Sequence, residues 1–479
     1  MAPQARPDRW KLLPVLLLAP FMGSLDGSIV NVALPTIADR LGVDIDGVQW
    51  VVSIYLIVIS ALVLVLVFGK IADKLGKVRV FNLGFLLFGT GSFLCSISWS
   101  LPILIAARSS QAVGASMFMS SNQGIIATIF PPEERGRALG FLGTTVAIGT
   151  MVGPPLGGIM VGLFNWQSLF IINIPISIFA FISGLRLLPR DDKPGSLAGF
   201  DLLGTGLFGL FVFSLFYFML NGGQQGARTT LELASLGLSI VSGFLFVIRE
   251  KRVADPMIDL SIFRDGFFSI SVACVLLVFV VSFCVTIVQP FYLQDVLGQS
   301  PAAAGLLLLA TPLASGLIAP LSGHLSDRVG AKALTVVGLA VILAGLGLLS
   351  LFGLGTSPPA VAGGLALFGL GGGVFSAPNT KLIMSHAPKD KLGIAGSVNA
   401  LARNMGMVSG IAFAVTLLNG SMSARLGRSV SGFVPEAPEA FVFGMRVVFL
   451  SAAALCAVAI ALTLARAMRS DSGYGPEQG

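Results

Sequence analysis

The sequence predicts an all-α integral membrane protein, a bundle of fourteen transmembrane helices, on three observations. Hydrophobic residues make up 55% of the 479-residue chain and Asp, Glu, Lys and Arg only 11%, against roughly 25% charged in a soluble domain. Apolar runs of about 20 residues, the length that crosses a bilayer, recur along nearly the whole chain with short polar breaks. Two long stretches also repeat each other. So few charges could not coat the roughly three soluble domains this length would otherwise allow, which excludes an ordinary soluble enzyme.

The spans fall near 12–36, 47–69, 79–99, 101–130, 137–163, 165–188, 200–220, 230–248, 267–293, 301–323, 333–354, 357–384, 394–419 and 440–466, separated by breaks carrying Gly, Pro and charge. Arg6, Arg9 and Lys11 precede Leu12 to Ala19 in the manner of a cleaved leader. The apolar stretch nevertheless runs past Asp26 to Pro35 with no small-x-small cleavage site, so it is read as a retained helix. Cys95, Cys274, Cys284 and Cys456 lie inside apolar runs without metal-ligand spacing and are read as small hydrophobes.

Orientation follows from Lys and Arg in alternate loops. With the N-terminus inside, roughly 23 of the 30 basic residues are cytoplasmic. Arg40, Arg228, Arg425 and Arg428 fall in outer loops, and Arg108, Arg403 and Arg446 fall within spans. The bias supports the helix count and places both termini in the cytoplasm; the chain is expected, multi-pass, in the plasma (inner) membrane. The net charge of +7 is then a topology signal, and no nucleic-acid partner is expected.

The loop from Gly69 through Asp73 and Gly76 to Lys77 matches the one from Gly323 through Asp327 and Gly330 to Lys332. The stretch Gly114 to Gly140 aligns without gaps on Gly371 to Ser397, pairing Phe118 with Phe375, Asn122 with Asn379, Pro131 with Pro388 and Gly136 with Gly393. The chain therefore divides into a six-helix bundle over 1–190, two inserted helices with flanking loops over 191–265, and a second six-helix bundle with a short tail over 266–479. Parallel repeats of this kind are a transporter signature, with substrate expected between the halves near mid-membrane.

Four motifs, in order at the expected helices, resemble the major facilitator superfamily, specifically its fourteen-helix drug:proton antiporters, over nearly the whole chain. The first helix carries Leu25-Asp26 followed by Asn31 and Pro35. The loop motif runs from Gly69 to Arg79, with Ile71 where Leu is usual. The fourth helix carries Arg108, Gln111 and Gly114, with Ala112 replacing the commoner Gly. The fifth carries Gly149, Gly153, Pro154, Pro155, Gly157 and Gly158. The resemblance implies a monomeric exporter of the multidrug efflux type, with the fifth-helix motif marking export rather than uptake. It also implies that Arg108, with Gln111, modulates proton uptake by Asp26.

Several of these residues carry chemistry on their own account. Asp26 is an acid near the middle of an apolar span, where it is costly and serves transport or a proton relay. It shares a helical face with Ala19, Gly23 and Val30, whereas Ser24, Ser28, Asn31 and Pro35 line a roughly opposite face. Either Asp26 faces the cavity and serves transport, or it is a structural acid bonded to a neighbouring helix. Arg108, Gln111, Ala115 and Asn122 share one stripe, and Arg108 serves either proton coupling or backbone carbonyls at a helix break. Arg403 has no counterpart in the repeat, where Val146 aligns, and is read as a substrate or a structural residue. Arg446, near a boundary, snorkels.

Gly149, Gly153 and Gly157 form a groove for close helix approach, and Pro154 permits a bend. With Gly69, Asp73, Gly76, Lys77, Arg79 and Asp327 they form the expected gating set, since charged loops can form and break networks between two states. Substrate contacts are expected from Asn31, Asn122, Asn173, Gln289, Asn379 and Arg403, within an adaptable pocket of some of the 35 Phe and 14 Met.

Every Gly-Lys pair lacks the Ser or Thr of a phosphate-binding loop. His324 and His386, both near cytoplasmic ends, offer no metal site or relay. No nucleophile, base and orienting acid converge, so the chain is read as no enzyme, with no cofactor and no metal. A proton gradient is the natural driver, one charge across 100 mV being worth about 2.3 kcal/mol. The expected function is alternating-access export of amphipathic, cationic drugs or toxic compounds in exchange for protons. Dedicated export of one metabolite or antibiotic is the nearest alternative, followed by a non-transporting receptor or scaffold. The expected partners are a small-molecule substrate, protons and the lipid bilayer.

Overall fold

The computed structural model describes residues 9–63, 71–72, 75–189, 201–221, 229–253, 260–388 and 392–471, and every regular element among them is helical. Helix α1 (Arg9–Ile29) breaks at a 3-10 turn, Asn31–Ala33, and the chain resumes as α2 (Leu34–Leu41). Asn31 Nδ2 takes up the Gly27 carbonyl at 3.1 Å, one of the acceptors that a helix end strands. Pro35 then sits in the first turn of α2, where its missing N–H costs nothing.

The first bundle continues with α3 (Ile45–Val63), α4 (Lys77–Ser96), α5 (Leu101–Ile129), α6 (Pro132–Leu163), α7 (Ser168–Ile171) and α8 (Asn173–Leu187). The inserted pair is α9 (Leu202–Asn221) and α10 (Thr230–Glu250). The second bundle runs through α11 (Gly266–Phe291), α12 (Pro301–Leu308), α13 (Ala310–Val329), α14 (Ala331–Ser350), α15 (Pro358–Ser385), α16 (Leu392–Leu426) and α17 (Pro438–Asp471). Each segment marked in the sequence is helical over most of its described residues.

Twelve helical stretches among the described residues are long and apolar enough to cross a membrane. Helix α3 supplies a shorter apolar stretch, Ile45–Ala61. Helix α5 is 29 residues long but stands outside the twelve, because it carries Arg108, Ser109, Ser110, Gln111, Ser116, Ser120, Ser121, Asn122 and Gln123. Arg108, Gln111, Ser116, Ser121 and Asn122 are buried against protein, as charged and polar groups within a span must be, while Gln123 is exposed.

Glycine sets the packing inside each bundle. A methyl group on Gly84 would sit 2.7 Å from the Phe118 amide nitrogen, and one on Gly338 would sit 2.6 Å from that of Phe375. Helices α4 and α5 thus touch backbone to backbone, as do α14 and α15. On α6, Gly149 lies against the Phe21 carbonyl, Gly153 against Ser28 and Gly157 against the Ile29 carbonyl of α1. The residue offset that carries Gly114 onto Gly371 also carries Gly149 onto Gly406 and Gly153 onto Gly410. Those two glycines press α16 onto Leu276 and Val280 of α11, so both bundles use one packing scheme.

The bundle has two distinct ends. Ion pairs Arg9–Glu134 (2.8 Å), Arg249–Asp201 (3.2 Å) and Lys381–Asp327 mark the basic end. At the other end the two halves meet. Ser431 donates to Asp44 at 2.6 Å, Gln294 Nε2 donates to the Val32 carbonyl at 2.8 Å, Gly158 abuts Pro301, and Gly305 abuts Pro154. Towards the basic end Gly140 and Gly143 have open space beside them, and α13 exposes Leu317, Leu321 and Leu325. The halves are joined at one end and part along the α6–α13 seam towards the other. On the opposite seam α9 packs against α3 and α16, with Gln49 Nε2 donating to the Leu220 carbonyl at 3.4 Å and Trp50 beside Tyr217.

Candidate functional site

The polar stripe of α5 closes on Asp26 of α1. Arg108 Nη1 lies 2.5 Å from Asp26 Oδ2, and Gln111 Nε2 and Asn173 Nδ2 each donate to Asp26 Oδ1 at 2.9 Å. Arg108 also donates through Nη1 to Gln111 Oε1 at 2.7 Å and through Nε to the Val51 carbonyl at 3.0 Å. Its guanidinium lies 4.3 Å from the centre of the Tyr55 ring and 5.7 Å from that of Phe170. Gln111 completes the set by donating to Ser92 Oγ at 2.8 Å. Asp26, Arg108 and Gln111 are fully buried.

Local structure explains why these side chains meet. The Gly84, Gly91 and Gly114 contacts bring α4 and α5 close enough for Gln111 to reach Ser92. Asn173 opens α8 after the short helix α7, which sets its amide beside α1. Ser24 and Ser28 lie on the other side of α1, against the α6 glycines; Ser24 donates to the Pro20 carbonyl at 2.6 Å and Ser28 to the Leu25 carbonyl at 3.0 Å. Of the two placements open for Asp26, the geometry is the bonded one, inside the first bundle and shut off from solvent.

Asp26 accepts from three donors, one of them a cation. Arg108 has two neutral acceptors besides and two aromatic faces, which hold a desolvated cation by cation–π attraction. No solvent reaches the carboxylate.

The other expected site residues fall elsewhere. Asn173 is a partner of Asp26 and 1% exposed. Asn31 spends its amide nitrogen on the α1 break. Asn122 is buried with Oδ1 unpartnered. Its repeat mate Asn379 is likewise buried, donating to the Ser271 carbonyl at 3.1 Å and leaving Oδ1 unpartnered. Gln289 is fully buried with neither amide atom partnered. Arg403 is accessible, one turn from the Gly406 contact of α16. Arg446 donates to the Ser350 carbonyl at 3.0 Å, consistent with a boundary position.

In the loop motif, Gly69 and Asp73 lie outside the described residues. Gly76 (φ 109) and its repeat mate Gly330 (φ 96) both take positive φ, which favours glycine. Lys77 lies over Gly124, and the repeat places Lys381, the partner of Asp327, where Gly124 stands in the first half. Arg79 is exposed on α4. Sequence reasoning missed Ser92, Tyr55 and the Val51 carbonyl. Tyr55 meets the guanidinium with its ring face while its hydroxyl finds no partner, so its being a tyrosine in an apolar run gave no signal of this contact.

The repeat does not carry the charge cluster across. The same offset places Leu365 opposite Arg108 and Phe368 opposite Gln111, both buried. Among the described residues no group of His, Cys, Asp and Glu could hold a metal ion.

Comparison with known proteins gives a consistent set of likenesses. The family model described as Major Facilitator Superfamily matches residues 16–411 and 271–478. The chain is 38% identical over 410 residues to the riboflavin transporter RibZ of Clostridioides difficile (strain 630), covering 85% of this chain and 87% of that one. It is 32% identical over 433 residues to the multidrug resistance protein Stp of Mycobacterium tuberculosis (strain H37Rv), covering 90% and 80%. Among solved structures, a bacterial homolog of the human lysosomal transporter Spinster, inward-facing and occupied, superposes with a TM-score of 0.71 at 15% identity, covering 97% and 98%.

Proposed function

The chain belongs to the Major Facilitator Superfamily, and on that premise we propose that it is a fourteen-span, proton-coupled exporter of amphipathic, cationic compounds, of the drug:proton antiporter type. The observation that carries the reading is the dehydrated Asp26–Arg108–Gln111–Asn173 cluster, present in one half and replaced by Leu365 and Phe368 in the other. An ion pair sealed from water in a membrane protein needs a use, and an acid held beside a cation inside a span suits a proton-dependent switch. The relative named a multidrug resistance protein supports the substrate class.

The joining of the halves at one end and their parting towards the other supports alternating access. With the basic end in the cytoplasm, this is the inward-open arrangement. Asp26 is the proton carrier, Arg108 and Gln111 its modulators, and Asn173 a further donor. The α6–α1 glycines, the turn at Gly76 and the end of α13 at Asp327 form the moving joints. Asn122, Gln289, Asn379 and Arg403 are the substrate contacts between the halves.

Purified protein in liposomes with an imposed pH gradient tests the reading. Accumulation of a cationic dye should follow the gradient and collapse with a protonophore; accumulation that ignores the gradient overturns it. The relative named a riboflavin transporter, at 38% identity, favours a second reading, dedicated movement of one metabolite. A flavin competing in the same vesicles while unrelated cations do not would select that reading.

A further inference from the structure

Outer-facing cations are scarce in this chain, and each of the three described ones has a distinct setting. Arg425 stacks on Phe443 at 5.0 Å. Arg428 lines a cavity with Asp39, Asp44, Asp295 and Glu436. Arg40, in the last turn of α2, has no carboxylate partner among the described residues.

Arg40 instead lines a separate cavity of about 340 Å³ together with Ser98, Trp99, Asn165, Trp166 and Gln167. Every one of those side chains offers a donor, and no acid lines the space. A cavity lined by a guanidinium and neutral polar side chains, with no carboxylate, carries a net positive charge and so favours an anion over an ammonium. Trp166 is buried and forms its floor, whereas Trp99 is 76% exposed and Phe164 68%. Ile97, Leu163 and Ile171 beside them are also exposed, so an apolar surface leads directly out of the cavity. Tryptophan at this level is the mark of the membrane–water interface.

We propose that this cavity binds the headgroup of an anionic phospholipid of the outer leaflet. The phosphodiester meets Arg40 and the indole N–H groups, the headgroup hydroxyls meet Asn165 and Gln167, and the acyl chains run over Ile97, Leu163 and Phe164. The absence of an acid in the lining favours phosphatidylglycerol over lipids with a cationic headgroup. Because the cavity is shared between α2 and the end of α6, occupancy ties the broken part of the first helix to the helix that meets α12.

Native mass spectrometry of the full chain tests the site, with phosphatidylglycerol, phosphatidylcholine and soluble glycerol 3-phosphate as probes. Phosphatidylglycerol should stay bound at collision energies that strip phosphatidylcholine. Arg40→Gln should weaken its retention about tenfold, the loss of a charge-assisted hydrogen bond, while Arg428→Gln leaves it unchanged. Thermal melting in phosphatidylcholine micelles, equal for Arg40→Gln and the parent chain, establishes that the variant is folded. Equal retention of both lipids, equal retention by Arg40→Gln, or displacement by glycerol 3-phosphate overturns the proposal, the last by reassigning the cavity to a soluble anion.

Discussion

Replacing Asp26 by Asn keeps the shape of the side chain and removes its charge. The amide can still present an oxygen to Gln111 and Asn173, but its nitrogen then faces Arg108 Nη1, donor against donor. At an effective dielectric constant near 20, charges about 4 Å apart attract by about 4 kcal/mol. Removing one partner of a buried pair costs about 3 to 5 kcal/mol, because the survivor is left uncompensated. Arg108 retains Gln111 Oε1, the Val51 carbonyl and the Tyr55 face, which puts the expected loss at the lower end, about 3 kcal/mol.

Removing both partners is far cheaper, so Asp26→Asn combined with Arg108→Gln should recover about 1 to 2 kcal/mol relative to Asp26→Asn alone. Melting in detergent reads the stability of all three variants. In liposomes, Asp26→Asn should lose uptake driven by a pH gradient while keeping substrate-for-substrate counterflow, which needs no proton. Undiminished gradient-driven transport by that variant would refute the assignment. A double variant no more stable than the single one would refute the electrostatic account of the cluster.

Other outcomes follow from the same geometry. Gly153→Val places a branched side chain against Ser28 and should destabilise the protein by about 1 to 3 kcal/mol through overpacking; Gly410→Val should do the same against Val280, with melting as the measure for both. Gln289→Leu removes two buried, unpartnered amide atoms and should stabilise the chain by about 1 kcal/mol while weakening substrate binding, read by dye titration; unchanged binding would take Gln289 out of the pocket. Lys381→Ala breaks an exposed ion pair and should leave thermal stability unchanged, while altering the rate of gradient-driven transport if the end of α13 at Asp327 gates the cycle.

The fold was legible because its main signal is linear: apolar runs and their breaks appear directly in the residue order. The Asp26–Arg108–Gln111 cluster was legible in part, since polar residues stand out against apolar helices. Which face of α1 met them was not, because a helical wheel leaves rotation undetermined until α5 and α8 are in place. Asn173 illustrates the limit. Read alone it was one more polar residue in a span, and only the turn through α7 into α8 brings it to Asp26. The glycine contacts of α16 were readable after all, as extending the repeat alignment beyond Ser397 reaches Gly406 and Gly410. Ser92, Tyr55 and the Val51 carbonyl depend on how three helices cross, which no local pattern encodes.

The polar character of α5 also bears on how the chain is made. Ribosomal synthesis adds about 5 to 20 residues per second, and Arg108 lies 82 residues after Asp26. Asp26 therefore exists for about 4 to 16 s before its counter-ion has been polymerised. Asn173 arrives later still, 147 residues after Asp26. During that interval the nascent first helix carries an acid with no basic partner on α5, and α5 in turn is more polar than the twelve apolar stretches. The first helix is apolar enough to span by itself, but its acid waits for partners on α5 and α8, which makes their meeting a step of biogenesis as well as of architecture.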